Sequence, residues 1–176
     1  AAKAAGVKRF IFFSTSAVYG DTIEDRPLRN ESDPINPLTP YAATKAAAED
    51  ACRAAASVDF RVTVLRLATV YGPSPRLRVD TVLNDLTARA IETGKVTLLS
   101  DGSAWRPVVH VNDVCEVVKI LLLRGAPAWE IINVGPDYNY RVSYLANAVS
   151  WMTGCAVEMR TGAKADNRSY RVNFDK

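Results

Sequence analysis

Residues Val7–Gly20 read VKRFIFFSTSAVYG. Phe10–Phe13 is an unbroken apolar run between basic residues and small hydroxylated ones, which predicts a buried β-strand. Ahead of it, AAKAAG at Ala1–Gly6 reads as the last turn of a helix. Lys3 lies near the negative end of that turn, and Gly6 is available for a left-handed cap. A domain seldom opens on the end of a helix that feeds a central strand. The sequence therefore predicts a chain that begins partway through a domain.

Strand and helix signals alternate from there. Asp21–Pro40 is a loop with prolines at 27, 34, 37 and 40, and Tyr41 to about Ser57 is an alanine-rich helix started by Thr39-Pro40. Phe60–Leu67 is a β-branched strand, Tyr71–Pro75 a turn, and Val79–Thr93 a helix ended by Gly94. Val96–Leu99 is a short strand and DGSAWRP at Asp101–Pro107 a loop. Asp113 and Glu116 form a capping box that opens a helix to Leu123. EIINV at Glu130–Val134 is a strand, Ser143–Met152 a helix closed by Gly154, and AVEMR at Ala156–Arg160 a last strand. Such alternation predicts an α/β fold with a mainly parallel sheet.

Composition excludes several classes. The chain has 176 residues, 48% hydrophobic and 23% charged, as expected of one globular domain with a real core. No apolar run approaches the ~20 residues of a membrane span, and no signal-peptide pattern appears. Cys52, Cys115 and Cys155 are odd in number and widely spaced, so neither a disulfide framework nor a zinc site is expected, and a reduced cytoplasm fits. The net charge of +3 is too small and dispersed to indicate nucleic acid. SPRLR at Ser74–Arg78 is the densest basic cluster and suits one phosphorylated small molecule. His110 is the only histidine, reads as a packed structural residue, and leaves no metal site.

YAATK at Tyr41–Lys45 carries the first chemical signal. Seven Tyr and seven Lys in 176 residues give about 0.3 such pairs by chance, so the pair is informative only in context. Thr15 falls just past a strand's carboxyl end, where open α/β sheets place their ligand crevices. Tyr41 and Lys45 lie one helical turn apart and point the same way. A tyrosine titrates near pH ~10, and a cation within ~4–6 Å favours its phenolate, so Lys45 would suit Tyr41 to acid/base work. Thr15 would hydrogen-bond the same substrate oxygen. An exposed helix pair beside a strand-end hydroxyl explains the same residues, and the pattern alone does not choose.

FFSTSAVYG, the Pro-rich loop, YAATK, LRLATVYGPSP, SDGSAWRPVVHVNDV and INVG, in that order, resemble the extended short-chain dehydrogenase/reductases. The nearest subgroup is the NAD-dependent epimerase/dehydratase family acting on nucleotide sugars. The resemblance runs over nearly the whole chain. It implies the latter part of a Rossmann-like parallel sheet over 1–72. It further implies a small α/β substrate-binding lobe over 73–176, with late strands returning to the first sheet. Thr15, four residues ahead of Tyr19-Gly20, Tyr41 and Lys45 then form the catalytic set. Tyr41 exchanges a proton with a sugar hydroxyl, and Lys45 also holds the nicotinamide ribose. Tyr41, Lys45 and Ala68 stand on the cofactor side, and Tyr19 is a structural part of its motif. On the substrate side stand Thr69, where the family usually has Asn, then Asn84, Arg106 and Arg168. Arg106 matches an arginine that binds the nucleotide's phosphates, with Arg168 or Arg171 as a second contact.

None of the nine glycines forms G-x-G-x-x-G, so no pyrophosphate cradle for NAD or NADP is written in these residues. The resemblance implies that this cradle lies upstream, and that the 176 residues alone bind NAD negligibly. The expected parent is an NAD(P)-dependent nucleotide-sugar epimerase or reductase, with no nucleic-acid or membrane partner and with a homodimer among its expected assemblies. A non-catalytic binding or regulatory module and an inactive truncated product are the alternatives. The family's 4,6-dehydratases carry Asp-Glu after the catalytic Thr; Ser16-Ala17 stand here, so dehydration is not expected.

Overall fold

The computed structural model describes residues 1–20, 28–166 and 168–176. The expectation of a loop over Asp21–Pro40 lies outside the described residues for 21–27. Ala1–Gly6 is the expected turn: Gly6 has φ of 76°, its N–H donates to Lys3 O, and the Val7 N–H donates to Ala2 O. Lys3 Nζ ties this turn to Ala55 O at 2.7 Å.

Strand β1 (Arg9–Thr15) pairs in parallel with β2 (Arg61–Leu67), and β2 pairs in parallel with β7 (Trp129–Val134). The sheet order is β1-β2-β7, with Thr15, Leu67 and Val134 in register at its carboxyl end. Central β2 is the buried strand, with Val62, Val64 and Leu65 all fully shielded. The Phe10–Phe13 run differs from expectation: Phe10, Ile11 and Phe12 are half-buried and Phe13 is 45% exposed. Among the described residues β1 is an edge strand, so one flank of that run has no neighbour to cover it.

Helix α1 (Pro40–Ala55) starts as the sequence predicts. The Thr39 hydroxyl accepts from the Ala42 N–H at 3.1 Å, and Pro40 occupies the first turn, where a missing donor costs nothing. Its buried face is Ala42, Ala46 and Glu49, two small residues that admit close packing on the sheet and one carboxylate. Helix α2 (Val82–Thr93) and helix α4 (Val142–Thr153) end at Gly94 and Gly154, both with φ of 72°.

Strand β3 (Thr69–Tyr71) pairs in parallel with β6 (Val108–His110), and β4 (Lys95–Leu98) with β9 (Ala156–Met159). Strand β5 (Trp105–Arg106) is antiparallel to β8 (Tyr140–Arg141). Strands β3, β5, β6 and β8 span only two or three residues, too few to write a period into the sequence. Leu86, Ala90, Val96, Leu98, Leu145 and Val149 form one core beneath α2 and α4, while Leu65, Ala68, Val109, Val114 and Val134 form another under the β2–β7 pair.

Helix α3 (Val111–Leu123) starts earlier than the Asp113–Glu116 box predicts. His110 caps it, Nδ1 accepting from the Asn112 N–H at 3.2 Å, while Glu116 pairs with Lys119 instead. A packed strand end thus presents its own acceptor before the box is reached. The His110 ring also stands edge-on to Tyr71 and fills the space a Cβ on Gly72 would need, 2.6 Å from Nε2.

Candidate active site

Thr15 ends β1 and caps the 3-10 turn Ser16–Tyr19, its Oγ1 accepting from the Ala17 N–H at 3.2 Å. That bond uses a lone pair and leaves the hydroxyl proton available for a ligand. Tyr41 stands in the first turn of α1, 55% exposed, and its hydroxyl has no partner among the described residues. Lys45 follows one turn on, its Nζ donating to Phe13 O at 2.6 Å, lying 4.9 Å above the Phe12 ring and 6.0 Å from the Tyr41 ring. The ammonium is therefore fixed beside both the phenol and the end of β1.

A cavity of about 1350 Å³ opens at the carboxyl ends of β1 and β2. Thr15, Tyr41, Ala68, Thr69, Asn84, Arg106 and Arg168 all line it, whereas Lys45, 6.0 Å from the Tyr41 ring, does not. Arg76, Arg78, Arg106, Arg160, Lys164 and Arg168 face Asp80, Asp85 and Asp166 there, six cations to three carboxylates. The chain holds 22 Lys and Arg against 19 Asp and Glu, so subtracting this described lining leaves 16 of each. Its net charge of +3 equals that of the cavity wall. Anions are drawn to such a concave surface with a net positive charge.

The remaining candidates differ in how free they are. Arg106 is 8% exposed: Nη1 donates to Trp105 O at 2.8 Å, Nη2 to Asp166 at 2.9 Å, and the guanidinium lies 5.3 Å from the Tyr170 ring. Arg168 also grips Asp166, through Nε and Nη2, both at 2.9 Å. Sequence reasoning missed Asp166, whose pairing with Arg106 spans 60 residues. Burial pushes the Asp166 carboxyl up, but Arg168 and Arg106 outweigh it and hold it below the usual carboxylate range. Arg171 lies 5.5 Å from the Trp105 ring, away from the cavity lining. Asn84 Oδ1 accepts from the Gly72 N–H and its Nδ2 donates to Arg78 O, so its amide holds the 72–78 loop in shape.

Behind the site lies a sealed polar network that the sequence did not reveal. Glu49 accepts from Ser14 Oγ and from Arg66, whose Nη2 is 2.7 Å away. Arg66 Nη1 donates to the Tyr19 hydroxyl at 3.0 Å, and that hydroxyl donates to Asn133 Oδ1 at 2.7 Å. Burial pushes the Tyr19 phenol up despite the Arg66 charge beside it. The available signal was Glu49 itself, the one carboxylate at an i+4 and i+8 spacing from Lys45 and Tyr41 on the alanine face.

A parallel sheet with a ligand cavity outside its strand ends, flanked by helices, is the architecture of Rossmann-type nucleotide-binding proteins. Within that class the chain belongs to the NAD dependent epimerase/dehydratase family, whose model matches residues 1–135. It is 33% identical over 147 residues to a dTDP-D-glucose 4,6-dehydratase of Mus musculus, covering 83% of this chain and 40% of the relative. Over 130 residues it is 30% identical to YtcB, an uncharacterised UDP-glucose epimerase of Bacillus subtilis, with 73% and 40% covered. Among solved structures it is similar to MoeE5 in complex with UDP-glucuronic acid and NAD, with a TM-score of 0.84, 29% identity, and 99% and 58% of the two chains covered. The UDP-glucose 4-epimerase of Thermus thermophilus in complex with NAD gives a TM-score of 0.82, 28% identity, and 98% and 57% covered. The chain thus spans about 40% of the length of these two curated relatives. The family uses NAD(P).

Proposed function

We infer that this chain carries the proton-transfer and substrate-binding half of an NAD(P)-dependent nucleotide-sugar epimerase or reductase. One observation carries the reading. The Tyr41 hydroxyl, unpartnered among the described residues and with Lys45 near its ring, lines together with Thr15 a cavity whose described lining holds the chain's entire net positive charge.

The residues present fit the nicotinamide-ribose end of such a cofactor. Ala68 leaves room at the end of β2, Tyr41 supplies a hydroxyl with the Lys45 ammonium close behind its ring, and parallel strand ends bound the crevice. Such a cofactor, when bound, would supply the hydride acceptor or donor for the sugar carbon. Tyr41 takes the proton of the hydroxyl on the carbon being oxidised and gives it back on reduction. The Lys45 charge stabilises the negative charge that develops on the phenol oxygen. Thr15 donates its free proton to the same substrate oxygen and holds it in line. Arg106 and Arg168 grip the diphosphate, for which planar forks are suited. Thr69 offers one hydroxyl where an amide is usual, and Asn84 shapes the loop that borders the sugar.

The test is turnover by the full-length enzyme on a panel of UDP- and dTDP-hexoses with NAD or NADP, read by NMR of the products. Epimerised or reduced sugar, dependent on Tyr41, is the expected result. Tight nucleotide-sugar binding without any turnover would instead identify a binding module.

A further inference from the structure

The network behind the site does more than fill the core. Glu49 is 4% exposed and Arg66 is 4% exposed. A buried ion pair is weak as a stabiliser, because desolvation offsets most of the attraction, and apolar residues of the same volume often do as well. What such a pair does supply is geometry, since its hydrogen bonds are directional and fail together when a partner moves.

The geometry here concerns two elements only. Helix α1 carries Tyr41 and Lys45; the carboxyl end of β1 carries Thr15. Lys45 Nζ binds Phe13 O at 2.6 Å, and Glu49, one turn further along α1, binds the hydroxyl of Ser14. Two successive residues of β1, immediately ahead of Thr15, are thus tied to two successive turns of α1. Arg66 fixes the Glu49 carboxylate from β2, with Nε 3.2 Å from both carboxylate oxygens and Nη2 2.7 Å from Oε2. Through Tyr19 and Asn133 the same chain of bonds reaches the 3-10 turn after Thr15 and strand β7. A slip of α1 by one residue would move Tyr41 by ~1.5 Å along the axis and break both ties at once.

We propose that Glu49 is a positioning residue: through Ser14 and Arg66 it sets where Tyr41 and Lys45 stand relative to Thr15, and so governs kcat without touching substrate. The proposal rests on the catalytic reading above. Arg66 is the one ion-pair partner of Glu49 among the described residues, so no second ion pair substitutes for it.

Two variants of the full-length enzyme test it. Ser14→Ala removes one tie and strands no charge, because Glu49 keeps Arg66. Glu49→Leu with Arg66→Met removes the ion pair together and keeps the core filled. Misplacing a catalytic group by ~1 Å costs ~10²-fold, so kcat should fall ~10-fold in the first and ~10²-fold in the second, with KM within about threefold of wild type. Hydrogen exchange should accelerate in peptides covering Phe13–Tyr19 and Pro40–Lys45 while β2 stays protected. A role limited to neutralising Arg66 predicts instead that the double variant, with both charges gone, turns over normally. Wild-type kcat and exchange in folded Ser14→Ala overturn the proposal, and this holds even where the double variant does not fold. Tyr41→Phe run alongside separates the two ideas. Intact turnover there defeats the catalytic reading, while the exchange data still decide whether Glu49 holds α1 in place.

Discussion

Replacing Arg106 by alanine probes the anion site most directly. An arginine has five N–H donors, and in this structure one on Nη1 serves Trp105 O and one on Nη2 serves Asp166. The remaining three have no hydrogen-bond partner among the described residues, and the proposed phosphate contact would use them. Hydrogen bonds to charged groups contribute about 1.5–3 kcal/mol each, so losing a single one weakens nucleoside diphosphate binding about 10- to 150-fold. The partner is present in the ground state, so KM rises and kcat changes less. The fold should survive. Asp166 retains both bonds from Arg168 and is not left unpaired, and the lost contact with Tyr170 is a modest term. A cost of about 1–2 kcal/mol corresponds to roughly 2–8 °C in Tm for a chain of this size. The assay is calorimetric titration of the full-length protein with UDP and with dTDP, beside thermal melts of both proteins. Arg106→Lys should fall between wild type and alanine, because it keeps the charge and loses the fork. An affinity within twofold of wild type in a folded Arg106→Ala protein would refute the phosphate role and leave Arg106 as a partner of Asp166 alone.

Three further outcomes are expected. Tyr41→Phe should lower turnover about 10²- to 10⁴-fold with an unchanged melt, since its hydroxyl has no described partner; retention of a tenth of wild-type rate would sink the acid/base assignment. The full-length enzyme should form no 4-keto-6-deoxy sugar, because Ser16 is fully buried with its hydroxyl on Leu67 O and Ala17 carries no acid; mass spectrometry showing loss of water would overturn this. Asp166 is held below its ordinary range, so it contributes stability above the unfolded value of ~3.9, and that contribution is lost as pH falls through the lower folded value. Asp166→Asn should therefore flatten the acid side of a urea-melt series below pH ~4, and an unaltered slope would count against the ion-pair geometry.

How much of the site was legible in the sequence depended on distance along the chain. The placements of Thr15, Tyr41 and Lys45 could be read because each sits at a landmark that local periodicity writes, a strand end, a helix start and the next turn of that helix, whereas their joint role is implied by the resemblance alone. Arg66 and Glu49 could not. They lie on a strand and a helix separated by 17 residues, and nothing in either segment says that the two side chains meet. Asp166 was missed for the same reason, and the start of α3 was misplaced because the His110 cap depends on where β6 ends.

The sequence by itself determined the alternation of strands and helices, the helix stops at Gly94 and Gly154, and where Thr15, Tyr41 and Lys45 fall on those elements. These follow from side-chain period, backbone freedom at glycine and residue chemistry, all of which act within a few residues. Only the tertiary structure decided which cations converge on one cavity, which arginine is already gripped by a carboxylate, and that β2, flanked by β1 and β7, is the fully shielded strand. Those outcomes depend on pairings between residues distant in the chain. Burial lowers the local dielectric and closes off water, so each polar group must find its partner wherever the packed chain happens to bring one.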